Sequence, residues 1–168
     1  MNRKPVVGIL MGSDSDLPVM EKAAGVLREM DVPYEIDISS AHRLPDKTAE
    51  YARTARDRGI EVIIAGAGMA AHLAGVIAAH TTLPVIGVPL ASGALSGVDA
   101  LYATVQMPPG IPVATVAVDG GKNAAYLACS ILSIKYPDIG GRVDAYREET
   151  RNQLHEKSKI LQDKGIAG

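Results

Sequence analysis

The sequence predicts a three-layer α/β fold, with a parallel sheet covered by helices on both faces. Two patterns carry that expectation. Short apolar runs alternate with longer segments of helical character, and the runs lack the polar/apolar alternation of half-exposed strands. From Val62 to Val118 the single formally charged residue is Asp99, so the middle of the chain has the composition of an interior.

Val6 to Met11 is the first expected strand. Leu17 to Met30 follows as a helix, with Pro18 in its first turn and Asp16 as its cap. Tyr34 to Ile38 is the second strand. Pro45 to Arg58 is the second helix, opened by Pro45 and closed by Gly59. Val62 to Ala65 is the third strand and Leu73 to Ala79 a short apolar helix. Val85 to Val88 is the fourth strand, between Pro84 and Pro89, and Val98 to Gln106 has helical character. Val113 to Val118 is the fifth strand and Asn123 to Ile134 the next helix. Five such units by residue 135 have the size of a doubly wound, flavodoxin-like fold. Beyond it, residues 136–168 place Ile139, Val143, Tyr146, Leu154 and Leu161 at roughly helical spacing on a charged background. This C-terminal amphipathic helix either packs on its own domain or forms an arm onto a neighbouring subunit. The arm is the favoured reading, because the apolar middle of the chain implies more buried surface than one small domain needs.

Composition narrows the function. The chain has 168 residues, a net charge of −2, no Trp and no Phe. A basic footprint and aromatic platforms for nucleic acid are therefore lacking. The lone Cys129 allows no internal disulfide and fits a reducing, cytoplasmic setting. We expect no signal peptide and no membrane span. His42, His72, His80 and His155 show no ligand-like spacing, so no metal is expected.

Ligands of a doubly wound sheet bind at the carboxyl ends of its strands, and the polar loops fall there. In Gly12-Ser13-Asp14-Ser15-Asp16, hydroxyls and backbone N–H groups suit a phosphate, and a carboxylate suits sugar hydroxyls. The same residues also serve as plain helix caps. In Ser39-Ser40-Ala41-His42-Arg43, Arg43 can clamp a phosphate and His42 can move protons near neutral pH, although a surface turn has the same composition. Gly66-Ala67-Gly68-Met69-Ala70-Ala71 fits G-x-G-x-x-A, but it lies in the third unit and lacks the ribose-binding acid downstream. Its glycines either admit a flat small ligand or pack tightly. His72 is either a second polar group of that site or a satisfied buried histidine. Asp99 either holds a loop or lines the site. The charge-poor stretch leads us to expect a dry pocket beside an anionic ligand.

Taken together, Met11-Gly12-Ser13-Asp14-Ser15-Asp16, Ser40-Ala41-His42-Arg43, Ala65-Gly66-Ala67-Gly68, Ala70-Ala71-His72-Leu73 and Val105-Gln106-Met107-Pro108 resemble a known family. It is the bacterial N5-carboxyaminoimidazole ribonucleotide mutases, class I of the phosphoribosylaminoimidazole carboxylase catalytic subunits of purine biosynthesis. The resemblance runs from about Val6 to Ile134. It implies a homo-octamer with sites built from several subunits, and a carboxylate moved from the exocyclic nitrogen to ring carbon C4 through released carbon dioxide. It implies no cofactor, metal or ATP. It assigns Ser13 and Arg43 to the phosphate, Asp16 to the ribose and His42 to acid/base work. Ser40, Gly68, Met69 and His72 complete the expected substrate site. Leu44, Met69 and Ala74 depart from the family's usual Thr, Gly and Pro. Two alternatives share the fold: a carboxylase of aminoimidazole ribonucleotide using free carbon dioxide, and a non-catalytic nucleotide-binding paralogue.

Overall fold

The computed structural model describes residues 4–164. Five strands form one parallel sheet: β1 (Val7–Met11), β2 (Tyr34–Ile38), β3 (Val62–Gly68), β4 (Val85–Leu90) and β5 (Ala114–Thr115), in the order β2-β1-β3-β4-β5. Six helices connect and follow them: α1 (Leu17–Glu29), α2 (Pro45–Arg58), α3 (Leu73–His80), α4 (Val98–Val105), α5 (Gly121–Leu132) and α6 (Pro137–Asp163). The doubly wound expectation therefore holds.

Both sheet faces are covered, which is why the strands read as unbroken apolar runs. Val7, Ile9 and Met11 turn to one face with Ile64 and Val88, under α1, α5 and the start of α6. Leu10, Ile63, Ala65 and Val85 turn to the other, under α2 and α3. A side chain on Gly87 would strike Thr104 of α4 within 2.3 Å, so α4 lies on that second face. Gly59 ends α2 at φ +101°, a conformation that glycine adopts without steric cost.

Several element boundaries differ from expectation. Asp16 does not cap α1 through its side chain. The cap lies one turn earlier, where Ser13 opens a short 3-10 turn (Asp14–Asp16) that runs into α1. The Asp16 carboxylate reaches back and accepts from the Ser13 N–H at 3.0 Å, completing a capping box. β3 continues through Gly66, Ala67 and Gly68, because these still pair with β4, ending at Gly68↔Leu90. β4 likewise includes Pro89, which faces no ladder on the β5 side. β5 shrinks to two residues. Val116 N–H still donates to Gly87 at 3.1 Å, but the chain then turns at Asp119, with φ +57°.

The start of α6 packs on its own domain. Ile139 and Val143 are buried, Arg142 donates to the Met30 carbonyl at 2.6 Å, and Tyr146 stacks on Tyr126. Beyond Tyr146 the helix is largely exposed, and Leu154, Ile160 and Leu161 are half or more exposed. No helix among the described residues is long and apolar enough to cross a membrane.

Candidate active site

The sheet order changes direction at β1, whose neighbours β2 and β3 lead to helices on the same face while α1 lies on the other. Such a switch point opens a crevice at the carboxyl ends of the strands. Here it is an open cleft of about 450 Å³, lined by Gly12, Ser13, Asp16, Ser40, His42, Arg43, Gly68, Met69 and Ser92, among others. A larger cleft of about 810 Å³ lies at the amino end of β4, beside Arg53, Arg56 and His80. Strand carboxyl ends converge on the smaller cleft alone of these two, so we place the chemistry there.

The first two loops are tied to each other. Arg43 Nη2 donates to the Gly12 carbonyl at 2.9 Å, and its Nε and backbone N–H reach Ser40 Oγ at 3.4 and 3.3 Å. Beneath them, Thr48 Oγ1 donates to the Leu44 carbonyl at 3.1 Å. Its proton being so used, Ser39 Oγ donates to Thr48 Oγ1 across 2.8 Å, in full burial. This pins the turn that presents His42 and Arg43. Asp14 is exposed, and the Ser13 hydroxyl holds its carboxyl below the usual aspartate range. Asp16 goes the other way: burial raises it, more than its bonds from the Ser13 and Gly12 backbone lower it.

The structure brings together two histidines thirty positions apart. His42 Nε2 and His72 Nδ1 are 2.8 Å apart, with the rings edge to face. His72 is thus exposed and bonded to His42, not a buried core histidine. A bond between two ring nitrogens holds one proton. If it sits on His42 Nε2, His42 Nδ1 is a base; if it sits on His72 Nδ1, His42 Nδ1 carries a proton and is an acid. His42 lines the cleft and His72 does not, so the shared proton lets His42 take either form there.

The third wall is backbone and apolar side chain. A Cβ on Gly68 would lie 2.1 Å from Ser92 Oγ, so only glycine lets the β4 loop approach so closely. Ser92 was not found from the sequence, although the strand-end rule places its loop at this edge. Met69 holds φ +54°, a backbone state that costs a side-chain-bearing residue about 1 kcal/mol. The closed, dry pocket expected from the charge-poor stretch is incomplete in a single chain. Met69 is 58% exposed, and Leu95 after β4 and Tyr102 on α4 are 60% and 61% exposed. Much of the charge-poor stretch lies on the surface, because α4 presents one apolar face outward. Leu44 is also exposed, while Ala74 is buried under the sheet. Asp99 is on α4 outside the cleft, and its Oδ1 is buried without a hydrogen-bond partner among the described residues. No cluster of metal-ligating side chains occurs among the described residues.

Comparison with known proteins agrees in sequence and shape. Residues 6–153 match the model of a family described as AIR carboxylase. The N5-carboxyaminoimidazole ribonucleotide mutase of Pyrococcus horikoshii is 60% identical over 98% of this chain and 93% of its own length. The protein of the same name from Thermotoga maritima is 57% identical over 96% of this chain and 94% of its own. The crystal structure of Treponema denticola PurE superposes with a TM-score of 0.85 at 33% identity, covering 94% of this chain and 98% of that one.

Proposed function

The chain belongs to the AIR carboxylase family, and from that premise we propose that it converts N5-carboxyaminoimidazole ribonucleotide to its C4-carboxylated isomer in purine biosynthesis. One observation carries the mechanism: His42, bonded to His72, lines a cleft together with Ser13 and Arg43, and the remaining wall of that cleft is uncharged.

The residues divide the work. Ser13 and Arg43 hold the phosphate, with Ser40 accepting from Arg43 and keeping its fork in place. Asp16 takes the ribose hydroxyls, because its carboxylate accepts from hydroxyls and repels a phosphate. His42 is the acid/base, and His72 fixes its tautomer. Gly68, Met69 and His72 border the ring. Cleavage of the N5–carboxylate bond leaves its electron pair on N5, which takes a proton, and frees carbon dioxide. C4 then supplies the pair for the new carbon–carbon bond and yields its proton to His42, restoring aromaticity. Backbone N–H groups of the Gly68 loop suit the forming carboxylate. No step calls for a cofactor, a metal or ATP.

We further infer self-association, supported by the exposed apolar residues Leu95, Val98, Tyr102 and Val105 and by the unpacked end of α6. The family resemblance is what supports an assembly of eight copies, and the exposed end of α6 supports its being an arm onto a neighbour. The lone Cys129 and a biosynthetic role support a cytoplasmic location. The free-carbon-dioxide carboxylase and the non-catalytic paralogue are not favoured: relatives from Pyrococcus horikoshii, Thermotoga maritima and Bacillus subtilis at 54–60% identity carry the mutase name, and one from Schizosaccharomyces pombe at 53% carries the carboxylase name over only 29% of its own length.

The test mixes purified protein with N5-carboxyaminoimidazole ribonucleotide, without bicarbonate or ATP, and follows the C4-carboxylated product by absorbance. Product should form faster than uncatalysed decarboxylation, and His42→Asn should slow it by about 10²–10⁴-fold. A native protein that yields only decarboxylation overturns the reading; a fully active His42→Asn overturns the role of His42.

A further inference from the structure

We propose that Ser92 is a substrate-binding residue whose hydroxyl donates to the migrating carboxylate, so that the cleft tells carboxylated from decarboxylated nucleotide. The proposal rests on the carboxylate-transfer reading above.

Position comes first. The loops after β2, β1, β3 and β4 follow one another along the sheet edge, and they bring Arg43, Ser13, Gly68 and Ser92 to the cleft in that order. Adjacent strands lie about 4.8 Å apart, so Ser92 stands roughly 10 Å along the edge from the Ser13 loop. With the phosphate on Ser13 and Arg43 and the ring against Gly68, the edge of the ring remote from the ribose meets the β4 loop. Carbon C4 lies on that edge.

Chemistry singles the residue out. Among the side chains of that wall, Ala67, Met69, Ala70 and Leu73 bring no hydrogen-bond donor, and Ser92 does. The backbone N–H groups of Ala71 and His72 are spent on the Met69 and Ala70 carbonyls, each at 2.8 Å. The Ser92 hydroxyl has no hydrogen-bond partner among the described residues. Its place is nevertheless set. A Cβ on Gly68 would lie 2.1 Å from Ser92 Oγ, so the hydroxyl rests against the Gly68 backbone. One residue earlier, Ala91 N–H donates to Asp119 Oδ1 at 2.9 Å, and Asp119 N–H donates to the Pro89 carbonyl at 2.9 Å. All these contacts lie within one chain, so Ser92 is placed before any second copy adds to the site. A donor fixed in advance loses little freedom when it meets an anion.

The transfer removes a carboxylate from N5 and re-forms it on C4. A carboxylate accepts from a hydroxyl, and such a charge-assisted bond is stronger than a neutral one. Freed carbon dioxide is a poor acceptor, and aminoimidazole ribonucleotide carries only hydrogen on C4. Ser92 therefore favours the carboxylated nucleotide and is indifferent to the decarboxylated one.

The test measures, by calorimetry, binding of the C4-carboxylated nucleotide and of aminoimidazole ribonucleotide to the native protein and to Ser92→Ala. Ser92→Ala should weaken the carboxylated nucleotide about 30-fold, the loss of one hydrogen bond to a charged group, and leave aminoimidazole ribonucleotide binding unchanged. Its thermal midpoint should match the native one, because the hydroxyl removed has no partner within the chain. Ser92→Cys, a weaker donor in the same place, should weaken the carboxylated nucleotide by less than Ser92→Ala does. Equal weakening of both nucleotides by the two variants makes Ser92 a prop for its loop and overturns the proposal, as does native binding of both. A native protein that binds neither nucleotide and converts no N5-carboxyaminoimidazole ribonucleotide overturns the underlying reading and the proposal with it.

Discussion

On the β1 and β2 side of the cleft, Ser13, Asp16, Ser40 and Arg43 are held by side-chain hydrogen bonds. On the β3 and β4 side, Gly68, Met69 and Ser92 are held by backbone shape and close approach. The first side is finished within one chain. It presents fixed donors and acceptors, as recognition of a phosphorylated sugar requires. The second side leaves apolar surface uncovered on Met69 and, further on, on Leu95, Val98 and Tyr102. On the proposed function the first wall is the one that binds the phosphorylated sugar, and it is complete without a second copy.

Arg43→Ala tests the binding wall most severely. Loss of a charge-assisted phosphate clamp should raise KM about 10²-fold, equivalent to about 3 kcal/mol. Steady-state kinetics should show the ratio of carboxylated to decarboxylated product unchanged. If Arg43→Ala shifts that ratio, the two walls do not act separately.

Tyr102→Glu addresses the unfinished wall. A charge on the exposed face of α4 should weaken self-association about 30-fold, near the 2 kcal/mol of an interface anchor. Light scattering against concentration checks it. An assembly of unchanged mass would mean that α4 faces solvent.

The smallest effect belongs to Asp16→Asn. Burial raises the Asp16 pKa, so its ionised form costs stability in the folded state. The folded state is therefore relatively favoured below the ordinary value of 3.8 and loses that advantage as pH rises through the raised value. Asp16→Asn should thus be as stable as the native protein or slightly more so at pH 7. The gain should be under about 1 kcal/mol after solvent screening and should close as pH falls toward the ordinary aspartate range. Denaturant midpoints at neutral and acid pH measure this, and KM should rise. A clear loss of stability at pH 7 would make Asp16 a structural cap first and a ligand group second.

Much of the architecture was legible in the residues. Tyr34–Ile38 and Pro45–Arg58 were read with their observed limits, because a proline opens the helix, Gly59 closes it and an apolar run defines the strand. The polar loops of Ser13, His42 and Arg43 fell at strand carboxyl ends because chain direction in a parallel sheet dictates it. Where boundaries slipped, a long-range partner decided. Gly66 to Gly68 are strand because β4 lies alongside, and Asp16 lost its place as cap because Ser13 reached the turn first.

What the sequence by itself determined is the order of elements, the sheet with two buried faces and the edge on which chemistry gathers. These follow from hydrophobic period and chain direction, which are local properties. Only the tertiary structure decided that His72 bonds His42, that Gly68 admits Ser92 and that Met69 spans the rim toward Gly93. Those pairings join residues brought close by folding rather than by sequence, and their distances depend on how adjacent strands end in space. The same geometry placed the apolar face of α4 on the surface, where composition alone had counted it as interior.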